Sequence, residues 1–249
     1  MTGATGGFPA PHRGIEVVPP WLGPVLDDGG DPGLEALRRA ASTRRPGDAG
    51  GRASAVLVLL GGDAAAVDRP EDSLVVLTHR SPELRSHAGQ MSFPGGKADP
   101  GDAGPVDTAL REAEEETGLA RSSVTPLRVL DSIDIARTGF AVHPVLAYWH
   151  DPHPLRVVDP AETDAVLQVP LADLIDPGNR LTVGYGSWSG PAFRVGDFVV
   201  WGFTGGVLAH LLDAAGWAVP WDHSTVHDLR ATLAASANRE SFGMGGRLR

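Results

Sequence analysis

The segment Pro105–Gly118 constrains the fold more than any other stretch of the chain. Proline suits a first helical turn and glycine suits the left-handed position that ends a helix, so the pair brackets a helix over Pro105–Thr117. Projected at about 100° per residue, Val106, Ala109, Leu110, Ala113 and Thr117 fall within an arc of about 100°, a core-facing stripe. Glu112, Glu115 and Glu116 form a second arc of about 100° beside it, and Glu114 lands on the far side. Carboxylates at i, i+3 and i+4 repel one another, and anions near a helix C-terminus oppose the macrodipole. Glu-rich runs on helices are usually solvated faces, but these carboxylates border the apolar stripe instead of opposing it. No lysine lies on the helix to neutralise them, and its one arginine is Arg111. Hard oxygen donors clustered beside a buried face suit Mg²⁺ or Mn²⁺, which bind a few carboxylates and take water and substrate phosphate at the remaining positions.

The rest of the chain supplies a sheet for this helix to cover. Ala53–Leu60 and Ser73–His79 are continuous apolar runs, as expected of strands covered on both faces. Further strands are expected at Val129–Ile135, Ala141–Trp149 (interrupted by Pro144, a position for a bulge), Val166–Val169, Arg180–Tyr185 and Ala192–Trp201, with a last helix over Thr204–Ala215. Leu34, Leu37 and Ala41 give a short helical pattern after the Gly/Asp loop Asp27–Asp31, and residues 1–15 read as a flexible arm. The sum is α/β (α+β) in class, a mixed sheet sandwiched between helices. The chain divides into an arm with a short helix over 1–50, a main domain over 51–216 and a tail over 217–249.

Composition removes several functions. There is no cysteine, which excludes disulfides, thiolate zinc sites and thiol nucleophiles. The net charge of −10 argues against general nucleic-acid binding, which draws its affinity from neutralising phosphates. No apolar run approaches the length needed to cross a bilayer, and Met1–Ala10 lacks the basic start and apolar stretch of a signal peptide. A cytoplasmic protein with no membrane partner is expected, and the sequence is compatible with a homodimer without requiring one. Gly186-Ser187-Trp188-Ser189-Gly190 is no nucleophile elbow, because Trp sits where the serine must be; it reads as a hairpin turn. Gly96-Lys97 lacks the upstream glycine of a P-loop. His223 and His227 are one helical turn apart but have no third zinc ligand nearby, and His143 reads as a core or lining residue.

A basic loop precedes the acidic helix. Residues 78–97 read THRSPELRSHAGQMSFPGGK, with Arg80, Arg85 and Lys97 against Glu83 alone and His79 and His87 as further donors. Its length and its junction with the helix favour a phosphate-holding role: glycines let backbone approach a ligand closely, and arginine offers forked donors that match phosphate oxygens.

These two segments carry a resemblance. Gly96, then Arg111-Glu112-Ala113-Glu114-Glu115-Glu116-Thr117-Gly118-Leu119, resembles the Nudix box, every fixed position of whose second half is present. Gly96 and Arg111 stand one residue further apart than in the general box, and Asp99 and Asp102 occupy the region where that box has a glutamate midway in the loop. Leu77-Thr78, Arg80-Ser81, Leu84-Arg85, His87, Gly89-Gln90 and Phe93-Pro94-Gly95-Gly96 closely resemble the signature of the coenzyme A diphosphatase branch, in which the extra residue is usual. Weaker similarity extends from Arg52 to Ala215; Gly205 stands where the branch usually has Ala, and Met91 where it has a β-branched residue. The resemblance implies the Nudix fold, a metal held by Glu112, Glu115 and Glu116 with the Gly96 carbonyl completing the coordination, and Arg111 orienting a glutamate. It also places Glu162, in a Pro-containing loop, where an acid outside the box contributes to metal binding or acts as base. Catalytic candidates are thus Arg111, Glu115, Glu116 and Glu162, with Arg80, Arg85, His87 and Lys97 on the substrate. The implied reaction is hydrolysis of coenzyme A, or of its acyl forms, to 3′,5′-ADP and 4′-phosphopantetheine. Two alternatives stand beside it: a Nudix hydrolase of ADP-ribose or a dinucleotide, and a non-catalytic nucleotide-sensing protein.

Overall fold

The computed structural model describes residues 18–26, 52–135 and 139–240; the arm 1–15, the loop Asp27–Asp31 and the helical pattern at Leu34–Ala41 lie outside them. A 3₁₀ turn at Pro20–Leu22 runs into a short helix, α1 (Gly23–Leu26). Strands β1 (Arg52–Gly61), β2 (Leu74–Arg80), β3 (Met91–Ser92) and β4 (Gly95–Lys97) precede helix α2 (Pro105–Thr117). There follow β5 (Val124–Val129), β6 (Ile133–Ile135), β7 (Phe140–Trp149), β8 (Thr163–Pro170) and α3 (Leu171–Ile175). The described chain ends with β9 (Arg180–Tyr185), β10 (Trp188–Val195), β11 (Phe198–Val200), α4 (Gly202–Ala214), β12 (Val226–Asp228) and α5 (Leu229–Ala234).

Strands β1–β8 form one mixed sheet centred on β1. On one edge β1 runs parallel to β7, from Arg52↔Phe140 to Leu60↔Tyr148. On the other edge it meets β2 only at its far end, Leu60↔Val75 and Gly61↔Leu74, while Ser54, Ala55 and Val56 pair with β4. The two strands therefore diverge, and the basic loop enters the gap: β3 pairs with β2 at Thr78↔Ser92, and β4 pairs with β1. On its outer edge β2 pairs with β8, with a register shift between His79 and Arg80.

Alternation along β1 explains why its sequence is apolar throughout. Ala55, Leu57 and Leu59 pack with Ala109, Leu110 and Ala113 of α2 on one face. Val58 and Leu60 pack with Val207, Leu208, Leu211 and Leu212 of α4 on the other. Each fully buried aliphatic side chain of this kind stabilises the fold by about 1.5–3 kcal/mol. The sandwich of helices around a mixed sheet is as the sequence leads one to expect.

Three local expectations change. Val129–Ile135 is not one strand: the chain leaves β5 after Val129, and Ile133–Ile135 forms β6 further along the same edge of β7. Pro144 causes no bulge in β7, whose register with β1 runs unbroken through Val56↔Pro144. Pro144 sits opposite the β5–β6 break, where its carbonyl accepts from Leu130 N–H, so its missing N–H costs little there; the register shift is in β5, between Pro126 and Arg128. Ala192–Trp201 is two strands, β10 and β11, turning at Gly196 (φ 54°).

The second sheet has the order β11-β10-β9-β12. Gly186–Ser187 closes the β9–β10 hairpin between Tyr185 and Trp188, in line with the hairpin reading of that stretch. Within 217–240, β12 runs parallel to β9, and α5 packs Leu229 and Leu233 on Leu181, Val183, Ala192 and Val199. Both elements are too short to show a period in the sequence. Beyond them, fully buried Asn238 takes the Val199 N–H on its Oδ1 (2.8 Å) and donates to the Val199 carbonyl (2.9 Å), as a neighbouring strand would.

Candidate active site

Helix α2 ends at Gly118 in the left-handed conformation (φ 68°), its N–H returning to the Glu114 carbonyl. Its acidic arc faces β4. A Cβ on Gly95 would meet the Val56 Cα at 2.6 Å, and one on Gly96 would lie 2.5 Å from Glu112 Oε1, so only two glycines let β4 thread between β1 and the carboxylates.

Glu116 is 5% exposed. Its Oε2 accepts the Gly95 N–H at 3.2 Å, and Arg80 Nη1 stands 3.7 Å from its Oε1. Burial pushes its carboxyl up to about 8; Arg80 and the Gly95 N–H work against that, while Glu112 and Glu162 add to it. Glu112 is likewise raised, first by burial, with Arg111 opposing and Glu115 and Glu162 reinforcing. Glu115 is mostly exposed, its Oε2 taking Arg111 Nη1–H at 3.1 Å.

Arg111 is a hub. Nη1 donates to Glu112 Oε1 and Glu115 Oε2, both at 3.1 Å, and Nη2 donates to the Lys97 carbonyl at 2.8 Å. Its fork is met by Asp102: Nε to Oδ1 and Nη2 to Oδ2, each 3.0 Å. Those bonds, with the Asp99 N–H and the Thr108 hydroxyl, hold the Asp102 carboxyl far below the ordinary range. Asp102 is the anchor that sequence reasoning did not assign; an acid in the loop before Arg111 was the available signal. Ser54 is a second unassigned contributor, its hydroxyl donating to the Gly96 carbonyl at 2.6 Å.

The pairing of β2 with β8 brings Glu162 to the same place: the Ser81 N–H donates to the Glu162 carbonyl, and the charge of Glu162 is felt by both Glu112 and Glu116. Of the basic residues, Arg80 is in the site, with a buried Nε that has no hydrogen-bond partner among the described residues. Arg85 is exposed on the loop, and His87 (φ 56°) pairs its Nδ1 with Gln90 Oε1 at 2.8 Å. Lys97 extends over the Phe140 ring, 5.7 Å from its centre. A cavity of about 440 Å³ lies elsewhere, between Arg180, Pro191, Asp213, Trp221 and His223, and holds none of these residues.

Among the described residues no three carboxylate or imidazole groups already stand together as a closed metal cage. The donor chemistry nevertheless fits a hard divalent cation. Buried Glu116 and half-buried Glu112 offer carboxylate oxygens beside a backbone turn, and among the described residues the cation beside Glu116, Arg80, stands 3.7 Å away, too far to neutralise it by a close ion pair. No helix of the described structure is long and apolar enough to cross a membrane.

The NUDIX domain family model matches residues 55–183. Over 156 residues the chain is 37% identical to the uncharacterized Nudix hydrolase NudL of Escherichia coli (strain K12), covering 58% of this chain and 76% of that relative; NudL of Shigella boydii serotype 4 gives the same figures. Among solved structures, the Nudix hydrolase RenU of M. smegmatis aligns with a TM-score of 0.47 at 17% identity, covering 69% of this chain and 90% of that one. The NUDIX domain of Shewanella oneidensis NrtR, complexed with ADP ribose, gives 0.38 at 20% identity over 53% and 81%. The family match takes in the strands that hold the box as well as the box itself, and on that ground this chain belongs to the Nudix hydrolase family and has its fold.

Proposed function

We propose that this Nudix hydrolase splits the diphosphate bond of coenzyme A, giving 3′,5′-ADP and 4′-phosphopantetheine. The observation that carries the reading is the meeting of two motifs: Arg80, from the loop that resembles the coenzyme A diphosphatase signature, reaches within 3.7 Å of Glu116, from the box. The loop also presents Arg85, His87 and Lys97, more cationic and polar groups than a plain diphosphate requires.

Glu112, Glu115, Glu116 and the Gly96 carbonyl are the groups that would hold Mg²⁺ or Mn²⁺. When bound, such an ion neutralises the diphosphate and makes a coordinated water acidic. Arg111, itself anchored on Asp102, orients Glu112 and Glu115. Glu115, Glu116 or Glu162 takes the proton of the attacking water. Arg80 and Lys97 balance negative charge on the departing phosphate, and Arg85 and His87 grip the periphery of the substrate.

The test is a panel of diphosphates incubated with Mg²⁺ or Mn²⁺, with products identified by mass spectrometry. The reading expects coenzyme A to be cleaved with far higher kcat/KM than ADP-ribose or a dinucleotide, and its dephospho form to be a poorer substrate. Equal rates on coenzyme A and ADP-ribose would sink it.

A further inference from the structure

Residues 238–240 pack against the back of the basic loop. Gly89 (φ 74°) leaves no room for a side chain there: a Cβ would fall on the Asn238 carbonyl oxygen and 3.0 Å from Glu240 N. His79, 1% exposed and directly before Arg80, ties the two segments together. Its Nε2 faces the carbonyls of Gly89 and Asn238, both at 3.1 Å, and its Nδ1 is paired with Asp164. Arg239 Nη2 holds the other oxygen of Asp164 at 2.6 Å.

Glu240 makes the second link. Its Oε1 accepts from Trp201 Nε1 (2.8 Å) and Asn238 Nδ2 (3.0 Å), and its Oε2 accepts from Gln90 Nε2 (3.3 Å). A carboxylate only accepts, so Gln90 must turn its amide nitrogen toward Glu240 and its oxygen toward His87, whose Nδ1 is 2.8 Å away. An amide oxygen also only accepts, so His87 carries a proton on Nδ1. Burial raises the Glu240 carboxyl to about 7, against the pull of its three donors, so the carboxylate prevails at pH 8.

We propose that Glu240 is a positioning residue for the substrate loop: through Gln90 it fixes the orientation of His87 and keeps the proton on its Nδ1. The assignment rests on the reading that this loop holds the substrate, and the test separates the two. In Glu240→Gln the new amide nitrogen faces Gln90, which must present its oxygen there and its nitrogen to His87. Nδ1 then becomes an acceptor and the proton moves to Nε2. The double variant Glu240→Gln/Gln90→Glu restores an acceptor toward His87 and reverses the switch. Gln90→Leu cuts the link from the loop side and leaves Glu240 its bonds to Trp201 and Asn238, should Glu240→Gln fold poorly.

The full-length protein at pH 8 is examined by ¹H–¹⁵N correlation of the His87 ring and by steady-state kinetics on coenzyme A or, failing that, the best-cleaved diphosphate of the panel. Glu240→Gln is expected to show His87 protonated on Nε2, which removes the acceptor that Nε2 offers to a substrate N–H or O–H group in the wild type, with KM raised about threefold to tenfold, the scale of one neutral hydrogen bond, and kcat changed less than about twofold. The double variant should return both readings toward wild type, and Gln90→Leu should raise KM likewise. Protonation of the same His87 nitrogen in wild type and Glu240→Gln, or a double variant no better than the single, would overturn the proposal. If no diphosphate is cleaved, the functional reading fails, and the His87 spectrum still decides the role of Glu240.

Discussion

Glu116 is a buried carboxyl whose proton is tied to the stability of the fold. Its carboxyl is raised from the ordinary 4.5 to about 8 by burial, so the metal-free folded protein holds a proton that the unfolded chain has already released over that interval. The contribution to stability is fully present below about pH 4.5 and is lost as pH rises through about 8. Without divalent metal, the melting temperature of the wild type should therefore fall from pH 5 to pH 8 more steeply than that of Glu116→Gln. The same variant should lose at least about a hundredfold in kcat, the scale on which removing a group that stabilises the transition state acts, and gain less from added Mg²⁺. Thermal scans at the two pH values in a chelating buffer decide the first point. Parallel slopes would mean that Glu116 is not the strained carboxylate.

At the scale of elements, α2 was legible to the residue because three independent signals agreed: Pro105 at its start, Gly118 at its end and an apolar stripe between. The glutamate cluster and the Arg80 loop were legible for a similar reason, being residue types in fixed order over a short span. What was hidden is what depends on pairing. The break between β5 and β6, the turn inside Ala192–Trp201 and the anchor Asp102 follow from which strand or side chain lies opposite, and local composition does not encode that. The β4 turn offers a direct test. Gly96→Ala drives a Cβ into the Glu112 carboxylate, whereas a Cβ on Gly101 meets nothing within 4 Å. Gly96→Ala should cost more than about tenfold in kcat/KM, more than about 1.4 kcal/mol of transition-state stabilisation, and Gly101→Ala should be near wild type. Within the basic loop, exposed Arg85 is expected to serve binding, so Arg85→Ala should raise KM by about ten- to a hundredfold, the equivalent of one charge-assisted hydrogen bond, and spare kcat. Lys97→Ala should lower kcat instead. The reverse pattern in steady-state kinetics would refute that division.

The whole molecule joins its two sheets through one core. Val58, Leu60, Val75 and Leu77 of the first sheet share a cluster with Phe193, Val195 and Val200 of the second, with α4 packed among them. The segment from Val226 to Glu240, which offers no periodicity to the reader of the sequence, closes the second sheet and reaches back to the basic loop through contacts such as Gln90–Glu240, 150 positions apart. A long-range polar latch of that kind leaves no trace in composition or spacing. If the shared core is what makes the molecule a unit, damage at the far end must be felt throughout. Asn238→Ala strips the partners from the Val199 N–H and carbonyl, and each buried polar group so orphaned costs about 1–3 kcal/mol. Part of that is recovered by water entering beside β11, so a net loss of about 2–4 kcal/mol is expected. Urea unfolding followed by far-ultraviolet circular dichroism and by tryptophan fluorescence should give one transition in both proteins, shifted together in the variant. The tryptophans report from both sheets, since Trp149 lies in β7 and Trp188 in β10. Two separated transitions, with only the later-chain tryptophans responding to Asn238→Ala, would show instead that the second sheet unfolds on its own and that the core does not couple it to the first sheet.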